Sequence, residues 1–198
     1  MNNTSIYKIG ITGGIGSGKS TVCKALSALS GAPIYDSDRR AKEIMAENSD
    51  VREELVAHFG EEVFVEGVLN RAYLASQVFG CEERLQMLNR IVHPRVVADF
   101  EEWAERCEGN YVILESALLF TSPLVGHYDL AVVVDAPLEM RIERCVARDG
   151  VTRQQVVGRI ESQMPAEKMR ERADLVVEAD GRPLGPEVEK IDRLIRER

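Results

Sequence analysis

Between a β-branched run, Ile6 to Thr12, and a stretch of helical spacing, Ser20 to Leu29, the chain reads Gly13-Gly-Ile-Gly-Ser-Gly18-Lys19-Ser20. This is G-x-x-x-x-G-K-[ST], standing where the pattern has physical meaning, after a strand and at the opening of a helix. Average residue frequencies give about a 1% chance of that pattern arising in a chain of this size, and the required context lowers it further. Glycines at 13, 14, 16 and 18 remove the side chains that would hold backbone amides away from an anion. A helix beginning near Lys19 adds its free N–H groups and its dipole. The segment Gly13, Gly14, Ile15, Gly16, Ser17, Gly18, Lys19, Ser20 and Thr21 is therefore expected to cradle the phosphates of ATP. Lys19 would bridge the β- and γ-phosphates and the Ser20 hydroxyl would hold Mg²⁺.

The rest of the pattern fits around that loop. A short apolar run, Ala32 to Tyr35, ends at Asp36-Ser37-Asp38, and helical spacing continues from there through Glu47. From about 50 to 108 the chain is charged and periodic with almost no strand character, which predicts several helices, with His93-Pro94 between two of them. Tyr111 to Phe120 and Tyr128 to Val134 are near-continuous apolar runs, as in strands covered on both faces of a parallel sheet, and Leu175 to Val177 is a weaker third. Strands alternating with helices predict a doubly wound parallel α/β sheet with helical insertions, formed as one unit.

Charge narrows the partners. A net charge of −8 on 198 residues argues against broad binding to nucleic acid or to an anionic membrane. No stretch approaches eighteen uninterrupted apolar residues. Four cysteines, at 23, 81, 107 and 145, stand far apart and read as reduced, buried thiols, which predicts a cytoplasmic protein. Nothing in the sequence speaks to oligomeric state. Arg141 to Arg172 nevertheless carries a net +3, leaving −11 on the remainder. Arg141, Arg144 and Arg148 have i, i+3, i+7 spacing on one helix face. They are either a solvated face paired with Glu143 and Asp149, or, beside a phosphate loop, a lid that clamps phosphates and excludes water.

A loop of this kind binds nucleotide without specifying the reaction. A guanine-reading N-K-x-D segment is absent, since no Asn-Lys pair occurs, and a second basic segment favours transfer between two bound anions. Phosphoryl transfer to an alcohol needs a carboxylate near the hydroxyl. Asp36 and Asp38 lie just after the second strand, and either could equally be a helix N-cap. Glu115 interrupts an apolar strand, so it lies at that strand's end facing the site or is a costly buried acid.

Taken together the residues resemble the dephospho-coenzyme A kinase family. The opening ITGGIGSGKSTV and the D-x-D of Asp36 and Asp38 match its start. Further matches are Leu69-Asn70-Arg71, HPRV from His93, ESALLF from Glu115, RxxRxxxRDG from Arg141, RIESQ from Arg159 and ADLVV from Ala173. Two departures stand out: Thr121 where many members carry an acid, and Val177-Glu178-Ala179-Asp180-Gly181 where many close with V-x-N-x-G. The resemblance implies a P-loop kinase with a core of about 1–37, 109–136 and 173–198, a helical acceptor region of about 38–108 and a helical lid of about 137–172. It implies phosphorylation of the 3′-hydroxyl of dephospho-CoA by ATP and Mg²⁺. Asp38 would orient or deprotonate that hydroxyl, Arg71, His93 and Glu115 would serve the acceptor side, and Arg144 and Arg148 would contact ATP. Other small-molecule P-loop kinases, for nucleoside monophosphates, shikimate or gluconate, differ only in the acceptor pocket. A nucleotide switch would leave the lid arginines without a purpose.

Overall fold

The computed structural model describes residues 6–197. Five strands form one parallel sheet: β1 (Tyr7–Thr12), β2 (Ile34–Asp36), β5 (Tyr111–Glu115), β6 (Leu130–Asp135) and β7 (Leu175–Glu178). Their order is β2-β5-β1-β6-β7, so β1 is central and the phosphate loop leaves the middle of the sheet. Ile9, Ile11, Val112, Ile113, Leu114, Val132 and Val134 are all solvent-excluded, the signature of strands covered on both faces. Two helices that pack on each other, α1 (Lys19–Ser30) and α9 (Gly185–Arg196), bury Val22, Cys23 and Leu26 and Val188, Ile191 and Ile195 respectively.

The chain divides into two compact units. One holds the sheet, running up to Asp36 and from Trp103 onward; the other is Ser37–Glu102. The second consists of α2 (Ser37–Glu47), α3 (Ser49–Phe59), α4 (Arg71–Val78) and most of α5 (Glu82–Arg106), with a small antiparallel hairpin, β3 (Phe64–Val65) and β4 (Val68–Leu69). Three further helices belong to the sheet unit: α6 (Leu138–Asp149), α7 (Arg153–Glu161) and α8 (Ala166–Arg172). No helix among the described residues is long and apolar enough to cross a membrane.

Four expectations need correction. The apolar run from Tyr111 does not continue as strand to Phe120. The ladder closes at Ser116, whose N–H donates to the Ile11 carbonyl, and its hydroxyl then accepts from Leu118 N–H to start a turn. Leu119 and Phe120 remain buried although they lie in that turn, so hydrophobicity persists where strand does not. His93-Pro94 lies inside a single 25-residue helix; a proline removes one N–H donor, which a helix with this much packed length absorbs. The helical stretch contains the 64–69 hairpin, whose turn residues Glu66 and Gly67 both have positive φ, 51° and 80°, the backbone a two-residue hairpin requires. The four cysteines are free, yet only Cys23 and Cys145 are buried.

Candidate active site

Gly13 to Gly18 bends between β1 and α1, and Ser17 N–H donates to the Gly14 carbonyl at 3.0 Å to close the turn. Gly16 has φ 77°, a left-handed conformation that a side chain strains, and a Cβ there would also strike the Arg141 backbone. At Gly14 the objection is space, because a Cβ would occupy the position of the Arg141 guanidinium. Helix α1 then begins with no side-chain cap, so its first amides are presented to a ligand instead of a capping oxygen. The Ser17 hydroxyl is buried without a partner among the described residues. Backbone shape, open helix terminus and unsatisfied hydroxyl all fit an oxyanion chain such as a triphosphate.

Lys19 is the first residue of α1 and Ser20 the second. Ser20 Oγ donates to Glu115 Oε1 at 2.5 Å. Donation to a carboxylate leaves the hydroxyl lone pairs available for a cation. Glu115 is the last residue of β5, 8% exposed, with Ile11 on one side in register and Asp36 on the other. Glu115 thus lies at the strand end and is also buried, its charge met by the Ser20 hydroxyl. Burial, then the charge of the neighbouring Glu115 carboxylate, pushes the thiol of Cys23 up from its ordinary value. The carboxylate is held from the first turn of α1 by Ser20.

Helix α6 brings two arginines to the outer side of the loop. Arg141, 7% exposed, donates from Nε to the Ile15 carbonyl at 3.1 Å. Arg144 donates to the carbonyls of Gly16 at 3.4 Å, Ser17 at 3.3 Å and Ala179 at 2.9 Å. Arg148 lies about 10 Å along the helix from Arg141 at 1.5 Å per residue. Its side chain is 62% exposed and forms a bidentate pair with the neighbouring Asp149. The structure therefore brings Arg141 and Arg144 to the loop and leaves Arg148 on the surface. Arg144→Ala is expected to lower kcat/KM for ATP by about 10²–10³, the loss typical of a preorganised donor. Arg148→Ala should stay within about threefold of the parent, since exposed pairs contribute little; a coupled ADP assay reads both. A pocket of about 180 Å³ adjoins the loop, lined by Gly18, Thr21, Arg144, Ala179, Gly181, Arg182 and Leu184.

The remaining residues singled out from sequence lie in the helical unit. Asp38 is in the first turn of α2, two residues beyond the end of β2. Arg71 is the exposed first residue of α4. The Asn70 side chain before it accepts from Tyr73 N–H at 3.1 Å, so asparagine in the L-N-R triplet is a helix cap. His93 is half-buried in α5, and burial lowers its pKa, so its imidazole is neutral at neutral pH.

With this geometry in view, comparison with known proteins is decisive. A family model described as dephospho-CoA kinase matches residues 7–184. The chain belongs to the dephospho-CoA kinase family. It is 44% identical over 183 residues to the dephospho-CoA kinase of Bacteroides fragilis strain YCH46, covering 91% of this chain and 89% of that one. It superimposes on a crystal structure from Thermus thermophilus with a TM-score of 0.86 at 39% identity, each chain covered to 98%. A shikimate kinase from Acinetobacter baumannii shares the fold, with a TM-score of 0.57 at 16% identity over 98% of this chain and 94% of that one. The P-loop kinase fold is thus common ground, and the sequence match separates the dephospho-CoA kinase family from the rest. As a family of kinases it implies ATP as phosphoryl donor.

Two residues near the loop escape the sequence reading as site residues. Arg141 stands out there only by its spacing. Gln163, which closes the R-I-x-x-Q match, accepts from Ile15 N–H at 2.8 Å; its place in that match is the hint the sequence carries, and it does not name the partner.

Proposed function

We infer that this protein transfers the γ-phosphoryl group of ATP to the ribose 3′-hydroxyl of dephospho-CoA, giving coenzyme A and ADP. The observation that carries the reading is the phosphate loop whose carbonyls are held by Arg141 and Arg144 and whose Ser20 is held by Glu115, in a chain of the dephospho-CoA kinase family. Lys19 and those amides of Gly13–Thr21 that are not donated within the protein, as the Ile15, Ser17 and Thr21 N–H groups are, would neutralise the triphosphate, and N–H groups that Arg144 does not spend on carbonyls would meet charge on the phosphoryl group in flight. The pocket beside Gly18 would take the nucleoside end of ATP.

Mg²⁺ fits Ser20, with Glu115 fixing the hydroxyl. The ion's other ligands would come from phosphates and water. When bound, it would neutralise charge developing on the phosphates.

Asp38, in the first turn of the helix after β2, would accept the proton of the attacking hydroxyl, with Arg71 and His93 on the acceptor side in the region of about 38–108. A neutral His93 suits a hydrogen-bonding role toward a sugar or base. The segment of about 137–172 would exclude water from the transfer. Free cysteines and consumption of ATP fit a cytoplasmic setting. Phosphorus NMR of the product tests the reading: a new phosphomonoester coupled to the 3′ position supports it, whereas phosphate on any other hydroxyl excludes this acceptor geometry.

A further inference from the structure

The third position of the phosphate motif is formally unconstrained, yet in this structure Ile15 is the most extensively held residue of the loop. Its N–H donates to Gln163 Oε1 at 2.8 Å, in the connection between α7 and α8. Its carbonyl accepts from Arg141 Nε at 3.1 Å, on α6. Its side chain packs on a small core of Ile142, Cys145 and Val156, contributed by α6 and α7. Three separate interactions thus join one loop residue to the arginine-rich segment.

The two hydrogen bonds fix both peptide units that flank Ile15. A peptide plane is rigid, so holding the N–H of one unit and the carbonyl of the next sets the orientation of the later amides in the loop. A neutral amide oxygen accepts the Ile15 N–H without adding charge near a phosphate, which a carboxylate at 163 would do. The packed side chain makes displacement of the basic segment and displacement of the loop a single event, because close-packed groups move together or lose their contacts.

We propose that Ile15 couples the phosphate loop to the segment 137–172, and that Gln163 is the positioning residue that sets the loop for nucleotide. This rests on the kinase reading for its kinetic part alone; the structural part stands on geometry. Gln163 is half-buried, so substitution there spares the fold, whereas Arg141 is buried too deeply for a clean test.

Two readouts on full-length protein decide it. The first is hydrogen exchange of the Ile15 amide without ligand, monitored by NMR. Gln163→Met, close in size but lacking the acceptor, is expected to remove protection at Ile15 and leave the amides of β1 protected. Gln163→Glu, which keeps an acceptor oxygen, is expected to retain it. The second is affinity for a fluorescent non-hydrolysable ATP analogue together with steady-state kinetics. Gln163→Met is expected to weaken the analogue about three- to tenfold, the range spanned by one neutral hydrogen bond, and to raise the ratio of ADP released to product formed. KM for the acceptor should not change. Unaltered Ile15 protection in Gln163→Met, or unaltered analogue affinity, overturns the proposal, as does loss of melting temperature with an unchanged ADP-to-product ratio. If the parent enzyme phosphorylates no acceptor, the functional reading fails while the exchange and affinity arms still judge the coupling.

Discussion

Asp38→Asn is expected to lower kcat by about 10³, some 4 kcal/mol of transition-state stabilisation, while KM for ATP and for dephospho-CoA stays within about threefold. The substitution keeps size and one acceptor oxygen and removes the negative charge. In the ground state the acceptor hydroxyl needs only a hydrogen bond, which asparagine still supplies. In the transition state the hydroxyl oxygen loses its proton as it meets phosphorus, and only a carboxylate can take or stabilise that proton. The loss therefore falls on kcat. Asp36 makes the sharper control. It ends β2 in register with Glu115, so Asp36→Asn removes charge from the sheet end without touching the group assigned to the hydroxyl. Steady-state kinetics on both variants discriminate; an equal fall in kcat for Asp36→Asn would reassign the base.

Lys19→Ala is expected to cost about 10²–10³ in kcat and to raise KM for ATP as well, because in the proposed function its ammonium would serve the triphosphate and the charge that moves during transfer. The residue stands at the first position of a helix whose N-terminus has no side-chain cap, so its charge would add to the field of that open terminus. Lys19→Arg should rescue poorly. A planar fork is wider than an ammonium and delivers its hydrogen bonds in a fixed geometry, and the loop around it has little slack, since Arg141 fills the space beside Gly14 and Gly16. Full activity in Lys19→Ala, measured by single-turnover transfer, would remove the loop from the mechanism.

The range of the interactions decides how much of the molecule is legible in the chain alone. The phosphate loop is local: eight consecutive residues and their flanking periodicities specify strand, bend and helix, and the structure has them where expected. Ser20 and Glu115 are 95 residues apart, yet Glu115 announces itself by breaking an apolar run at a strand end. The arginine face is visible as a spacing, but which arginines reach the loop depends on how far α6 runs past it, and helical periodicity carries no such information. Arg148 shares the face with Arg144 and ends one turn too far along, held by Asp149. The bond from Ile15 to Gln163 spans 148 residues, and the R-I-x-x-Q pattern that ends in Gln163 carries no information about which backbone group it meets. One miss comes from burial: Leu119 is solvent-excluded in a turn, and burial alone does not distinguish turn from strand.

In the proposed function this site moves phosphate from ATP to dephospho-CoA in preference to other acceptors. A coupled ADP assay on purified protein, with ATP, Mg²⁺ and a panel of dephospho-CoA, nucleoside monophosphates, shikimate and gluconate, tests that statement most directly. Strong ADP release with dephospho-CoA and background release with every other acceptor is the predicted result. Release that no acceptor stimulates, or a preference for a nucleoside monophosphate or shikimate, would contradict it.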